Sequence, residues 1–456
     1  MAGDRKKSTT DELRAQEEKF LALQRRNPES PYYEQGIAPQ HGRRRFLGSV
    51  AAIGSVGAFV AHRAGAATLG ATEREVFADA SKAQGYPLED SSYGTRSQFE
   101  TEARMRFKTA TQQSSWTMTP LEKSCGIITP SGLHFERSHG GTAVIDPAKH
   151  SLYVHGMVKN AKKYSMHDVR RFPSVSRTMF MECSGNGLTE WTKPTMKTVQ
   201  MTHGLTSTSE WTGLPLSTLL NECGVSSKAK WLLVEGGDAS AMTRSIPLAK
   251  AMKDCFLAYG QNGEAIRPEQ GYPLRLMVPG YEGNTHIKWV RRIEVSDMPF
   301  MTREETSKYT DILPSGKAVQ FSFEMDPKSV ITSPSGEMML DGPGFYEVTG
   351  LAWSGRGSVK RVEVSFNGGK TWRDAALQGP ILPICHTRFR IPWQWDGKEA
   401  ILQSRVTDSN GIVQPTLGQL IAVRGTNGPL GSIYHLNAIQ SWLVANDGKV
   451  SNVHHY

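Results

Sequence analysis

From residue 119 onward the chain sets short apolar runs between turns marked by glycine and proline, whereas the first 42 residues are polar and show no apolar periodicity. Runs at 152–156, 176–182, 231–235, 256–259 and 274–279 are short and rich in Val, Leu, Phe and Met, and they predict buried strands. Two segments have helical spacing. One, 166–172, is stopped by Pro173; in the other, Leu216, Leu219, Leu220 and Cys223 share a face and Gly224 follows. Strands and helices do not alternate regularly, so the fold class is α+β and not a βαβ repeat. After Leu313-Pro314-Ser315-Gly316-Lys317, read as a linker, only strands are predicted. Segments 345–351, 359–366 and 400–407 alternate between two faces, and Asn367-Gly368-Gly369 marks a hairpin. About 100 residues of such strands predict an immunoglobulin-like sandwich, without the Cys…Trp…Cys hallmark of antibody domains.

A chain of 456 residues exceeds one hydrophobic core. The pattern divides it into a polar tail and signal (1–66), a lead-in segment (67–118), a mixed α/β domain (119–312), the all-β sandwich (325–426) and a C-terminal tail (427–456) that docks on a neighbour. A short helix is predicted over 11–26. Arg43-Arg44-Arg45-Phe46-Leu47 precedes an uncharged Ala/Gly/Val-rich run over 46–61 and then Ala64-Gly65-Ala66. This is the layout of a twin-arginine export signal with a small-residue cleavage site, and it implies a periplasmic protein. The other reading is a buried helix with a basic start. The run falls short of the roughly 20 apolar residues of a membrane span. The net charge of +9 comes without a Lys/Arg run interleaved with aromatics, which excludes an evident nucleic-acid surface. It describes either a surface that steers an acidic partner or a merely solvated one.

Five cysteines, at 125, 183, 223, 255 and 385, form no Cys-x-x-Cys pair and no Cys-x-x-Cys-His haem attachment. Cys183 stands apart. It ends a predicted buried strand and opens Ser184-Gly185-Asn186-Gly187, where the backbone can turn sharply and nothing bulky shields the sulfur. Such a thiol is a metal ligand or nucleophile; alternatively it packs as a small hydrophobe.

Five motifs occur in order: Phe135-Glu136-Arg137-Ser138-His139, Glu182-Cys183-Ser184-Gly185-Asn186, Gly271-Tyr272-Pro273-Leu274-Arg275, His286-Ile287-Lys288-Trp289 and Asn367-Gly368-Gly369-Lys370-Thr371-Trp372. In this order the chain resembles the sulfite oxidase family of molybdenum-cofactor enzymes from about residue 119 to 426. The resemblance implies a mixed α/β molybdopterin-binding domain followed by an immunoglobulin-like domain that forms homodimers. It makes Cys183 the molybdenum ligand, a role suited to a soft thiolate. It assigns cofactor contacts to Phe135, Arg137, His139, Asp238, Gln270, Arg275, His286, Ile287 and Lys288, and active-site roles to Arg137, Tyr309 and Arg390, with Arg388 the competing choice for the last. At Gln270 the family often has histidine.

The implied chemistry is oxygen-atom transfer to sulfur in the periplasm, with electrons passed to a separate c-type cytochrome subunit because this chain has no haem motif, in a heterotetramer built on the homodimer. Where sulfite oxidases follow the cysteine loop with two arginines, this chain has Gly187-Leu188, and Met201 stands near a common tryptophan. A pocket without those groups is expected to be roomier and less suited to a small dianion. The expected substrate is therefore sulfane sulfur on a carrier protein's cysteine, as in thiosulfate oxidation. Free sulfite is the alternative, and a non-catalytic periplasmic binding or scaffold protein is the alternative of another class.

Overall fold

The strand that delivers the cysteine, Val175–Glu182, begins half exposed and becomes continuously buried over Met179, Phe180, Met181 and Glu182. Its apolar run carries the chain from the surface into the interior, as expected of a strand covered on both faces. The computed structural model describes residues 93–307, 309–426 and 435–455. Residues 93–101 belong to a separate unit and contain only an exposed turn. The predicted helix over 11–26 and the export signal lie outside the described residues.

Three sheets build the first domain. Val175–Glu182 pairs antiparallel with Thr206–Pro215, which pairs with Phe256–Gln261; Glu264–Ala265 and Arg275–Met277 complete that sheet. The second runs in the order Lys162–Ser165, Ser151–Gly156, Val290–Ser296, Trp231–Gly236, Thr243–Pro247, and Val290–Ser296 lies parallel to Ser151–Gly156. Helix Met166–Arg171 starts with a capping box in which Ser165 and Asp168 exchange side-chain and backbone bonds. Helix Leu216–Cys223 buries Leu216, Leu219, Leu220 and Cys223, the face its spacing predicts. Both helices help close a core that includes Val154, Leu232, Ile246, Leu276 and Ile293.

The third sheet corrects the domain start. Met105–Arg106, Ser115–Met118 and Glu136–Ser138 pair antiparallel, so the lead-in segment supplies two of the strands beside Arg137. These strands are two to four residues long, too short for their alternation to register in the sequence. The 313–317 stretch is likewise no loose linker; it turns between Thr310–Ile312 and Ala318–Gln320, which pair with each other.

The second domain is a sandwich of two antiparallel sheets. One has the order Lys328–Ser333, Gly344–Trp353, Thr387–Trp395, Ala376–Gln378; the other runs Arg373–Asp374, Val359–Ser365, Ala400–Asp408, Ser441–Val444, Val450–Val453. Val348, Trp353, Val362, Phe389, Leu402 and Trp442 meet in its core. The Asn367-Gly368-Gly369 signal does join paired strands, but its loop spans residues 366–372, longer than a two-residue turn. The sandwich also extends past residue 426. Ser441–Val444 pairs with Ala400–Asp408 of the same chain, so the C-terminal segment is its own domain's last hairpin and not a tail on a neighbour. Among the described residues no helix is long and apolar enough to cross a membrane.

Trp442 is fully buried and donates from Nε1 to the Ile331 carbonyl at 3.1 Å, tying the last hairpin to the opposite sheet. Trp442→Ala should therefore cost about 3–5 kcal/mol of stability, read as a lowered urea midpoint.

Candidate functional site

The cysteine loop is set by the residue before it. Glu182 is wholly buried; its Oε1 accepts from Asn186 Nδ2 at 2.9 Å and from Lys328 Nζ at 3.0 Å, and its Oε2 accepts from Trp353 Nε1 at 2.7 Å. Lys328 and Trp353 come from the sandwich, and Lys328 also donates to the Asn186 carbonyl at 3.1 Å. Within the loop, the Cys183 carbonyl accepts from Asn186 N at 2.9 Å, and Asn186 Oδ1 accepts from Leu205 N at 3.1 Å. Gly187 then turns the chain at φ +85°. Gly283 packs on the loop from the other side, where a Cβ would fall 3.2 Å from Cys183 Cα and 2.8 Å from the Glu182 carbonyl oxygen.

Cys183 opens into a cavity lined also by Phe135, Glu136, Arg137, His139, Met181, Asp238, Met242, Gln270, Arg275, Asn284, His286, Ile287, Lys288, Trp289 and Tyr309. The structure thus brings together all the sequence-derived site residues except Arg390. Period-two alternation explains the exception. In Thr387–Trp395 the odd-numbered residues are buried, so Arg388 and Arg390 face away from them. Arg390 is largely exposed, 3.7 Å from Glu347, and Arg388 turns to the carbonyls of Ser124 and Gly126. Neither arginine reaches the cavity. Gly187 and Leu188 also lie outside it: Gly187 abuts Leu436, and Leu188 packs with Trp191, Leu417 and Leu420. Their replacement of two arginines therefore does not by itself widen this cavity, and Met201 is not in its lining either.

Cations dominate the cavity. Arg275 donates to the Gln270 carbonyl at 3.0 Å, to Gln270 Oε1 at 2.8 Å and to the His286 carbonyl at 3.3 Å. Lys288 Nζ donates to the carbonyls of Glu269 and Arg137 at 3.0 and 3.1 Å. Burial pushes Arg275 down to about 9 and Lys288 down to about 8, with Glu136 opposing the shift in both. Arg137 donates to the Ser115 and Ser138 carbonyls and to His139 Nδ1 at 3.2 Å. Burial, and then Arg137, bring His139 down to about 4, so its ring is neutral and free to accept. Gln270 spends its amide on Arg275 and, through Nε2, on the Phe135 carbonyl at 2.9 Å. His286 spends its ring on Val278 N and the Tyr281 carbonyl. Burial raises the Cys183 thiol, with a Gly185 backbone bond and Arg137 acting against it.

This donor set calls for a particular kind of ligand. Arg137, Arg275 and Lys288 face only Glu136 and Asp238 as carboxylates in the lining, which favours an anion. Asp238 Oδ1 is buried without a hydrogen-bond partner and so asks for an N–H or O–H donor. Among the described residues no three His, Cys, Asp or Glu side chains cluster as metal ligands. A metal held by Cys183 must bring its remaining ligands with it. An anionic, N–H-bearing organic group that carries a metal fits all three requirements.

Residues 139–304 match the family described as the oxidoreductase molybdopterin binding domain, and residues 319–441 match the Mo-co oxidoreductase dimerisation domain. A crystal structure of the sulfane dehydrogenase SoxCD from Paracoccus pantotrophus is similar at 42% identity and TM-score 0.81, over 84% of this chain and 99% of that one. The chain belongs to the sulfite oxidase family of molybdenum-cofactor oxidoreductases. Mouse mitochondrial sulfite oxidase is 30% identical over 69% of this chain and 62% of its own length. The NADH nitrate reductase of Solanum lycopersicum is 33% identical over 59% of this chain, which spans about a third of that relative's length. The family's cofactor, molybdenum with molybdopterin, is the ligand class the cavity fits.

The sequence reading missed the residues that hold the site. Glu182 and Lys328 are 146 positions apart, and nothing local marks them as partners. A second buried tie was also missed. Arg244 donates to Glu305 at 2.8 Å and to Glu282 at 3.1 Å and lies 4.7 Å from the Tyr309 ring centre. Glu282 also accepts from His435 Nε2 at 2.7 Å, and His435 N donates to the Ser184 carbonyl at 2.8 Å. The local signal was slight: Glu182 follows the apolar run Met179-Phe180-Met181, whereas Glu305 stands in the polar stretch Thr302-Arg303-Glu304-Glu305-Thr306-Ser307.

Burial acts to raise the Glu282 carboxyl, but Arg244 and His435 outweigh it and bring the group from its ordinary 4.5 to about 2. A depressed carboxylate contributes stability that is present above pH 4.5 and lost as pH falls toward 2. Urea unfolding measured against pH should show this loss, on the order of 3 kcal/mol, and Glu282→Gln should flatten the curve across that window.

Proposed function

We propose that this protein is the molybdenum subunit of a periplasmic sulfane dehydrogenase. It oxidises sulfane sulfur carried on a partner protein's cysteine and hands the electrons to a c-type cytochrome subunit, within a heterotetramer built on a homodimer of the sandwich domain. The observation that carries this reading is the cavity itself, with one thiol, three cations and an unpartnered carboxylate oxygen. It is set in a chain 42% identical to a sulfane dehydrogenase along 99% of that structure's chain. The twin-arginine layout of 43–66 supports the periplasmic assignment.

Bound there, the molybdenum group supplies two-electron oxygen-atom transfer to sulfur. Cys183 would hold the metal. Arg275 and Lys288 would balance the cofactor's negative charge, and Asp238 would accept from its N–H groups. The neutral His139 ring, held by Arg137, would meet the cofactor without adding charge. Arg137 keeps a permanent cation beside the thiol, suited to stabilising an oxyanion as it forms. Tyr309, over Arg244, would orient the substrate or pass a proton from its phenol. Electrons leave to a separate protein because the chain has no haem-attachment motif of its own.

Substrate choice is read directly by cytochrome c reduction with the cofactor-loaded protein. A carrier bearing a cysteine-bound sulfane should be turned over with a kcat/KM on the order of tenfold or more above that for free sulfite. Efficient turnover of sulfite with none on the loaded carrier would make the protein a sulfite dehydrogenase instead.

A further inference from the structure

Asn284 lines the same cavity as Cys183 and is held from behind. Its Nδ2 donates to Ser184 Oγ at 3.1 Å, on the residue that follows the cysteine. The side chain also lies close enough to the Glu282 carboxylate to help, after Arg244 and His435, to hold that carboxyl low. An amide can in principle be turned over, exchanging its oxygen and nitrogen. Here the neighbour decides, since the Glu282 carboxylate is fixed between Arg244 and His435 and can only accept. The nitrogen therefore faces Glu282 and Ser184. Oδ1 is left buried, without a hydrogen-bond partner. Gly283 packs directly on the cysteine loop, and the amide that follows it lines the cavity into which the thiol opens.

A buried carbonyl oxygen without a donor costs free energy unless a ligand supplies one. We propose that Asn284 is a positioning residue of the site, whose Oδ1 accepts a hydrogen bond from an N–H or O–H donor on the group that fills the cavity. The inference rests on the reading of the cavity as the cofactor site. The donor belongs either to the pterin cofactor or to the bound substrate. The Arg244–Glu282–His435 unit serves to hold the amide in the accepting orientation.

The test compares wild-type holoenzyme with Asn284→Ala and Asn284→Ser. Each is measured for molybdenum per chain, for pterin fluorescence after oxidative release, for kcat and KM per molybdenum with cytochrome c as acceptor, and for melting temperature. Loss of the acceptor should lower one quantity on the order of tenfold. A joint fall in molybdenum and pterin assigns the donor to the cofactor. Unchanged content with a fall in kcat/KM per molybdenum assigns it to the substrate. If cofactor content and kcat/KM both stay within about twofold of wild type in a variant that melts normally, the inference is overturned. Asn284→Ser answers by the same criteria should the alanine variant not fold. A wild-type protein free of molybdenum would instead overturn the reading of the cavity, and this inference with it.

Discussion

A carboxylate sealed from water, one residue before the thiol proposed as the metal ligand, governs how this molecule is put together. Glu182 belongs to the first domain and its cation Lys328 to the second, and both are buried at the boundary between them. Taking two such charges out of water costs several kcal/mol, which is offset only if the acceptor and donor sites are filled. They are filled, by Asn186 and Trp353 on the carboxylate and by the Asn186 carbonyl on the ammonium. Neither domain can bury its half alone without stranding a charge. The loop that carries Cys183 is therefore held by groups from both domains.

The cavity applies the same rule with the opposite outcome. Glu182 accepts three hydrogen bonds across its two oxygens, whereas Arg275 and Lys288 are buried with too little negative charge around them and Asp238 keeps an oxygen unpaired. Structure and ligand divide the electrostatic work. What the protein satisfies internally becomes scaffold, and what it leaves unsatisfied becomes binding capacity. The segment from 282 to 285 lies on this border. Glu282 is fully compensated by Arg244 and His435, while Asn284 two residues later is not.

Much of this was legible in the sequence because it is local. The Cys183 loop, the Arg137 and Lys288 motifs, the helix over 216–223 and the strand-rich second half follow from residues close in the chain, although that half also holds the helix Leu417–Arg424, which the strand-only expectation left out. What was not legible is long-range or short. The Glu182–Lys328 pair spans two domains, and the strands at 105–106 and 115–118 have too few residues to show a period. The last hairpin was hidden because residues 427–440, which separate Ser441–Val444 from the rest of the sandwich, read as a tail. Arg390 is a different case. Arg388-Phe389-Arg390 alternates, and a buried Phe389 already requires both arginines to point away from the core. There the aligned motif outweighed a rule the sequence itself supplied.

Cys183 is the thiolate proposed to hold the metal. Molybdenum K-edge X-ray absorption of wild-type and Cys183→Ser holoenzyme measures it most directly. The variant should retain a folded chain and lose one sulfur neighbour from the molybdenum shell. An unchanged sulfur shell in a molybdenum-loaded variant would contradict it.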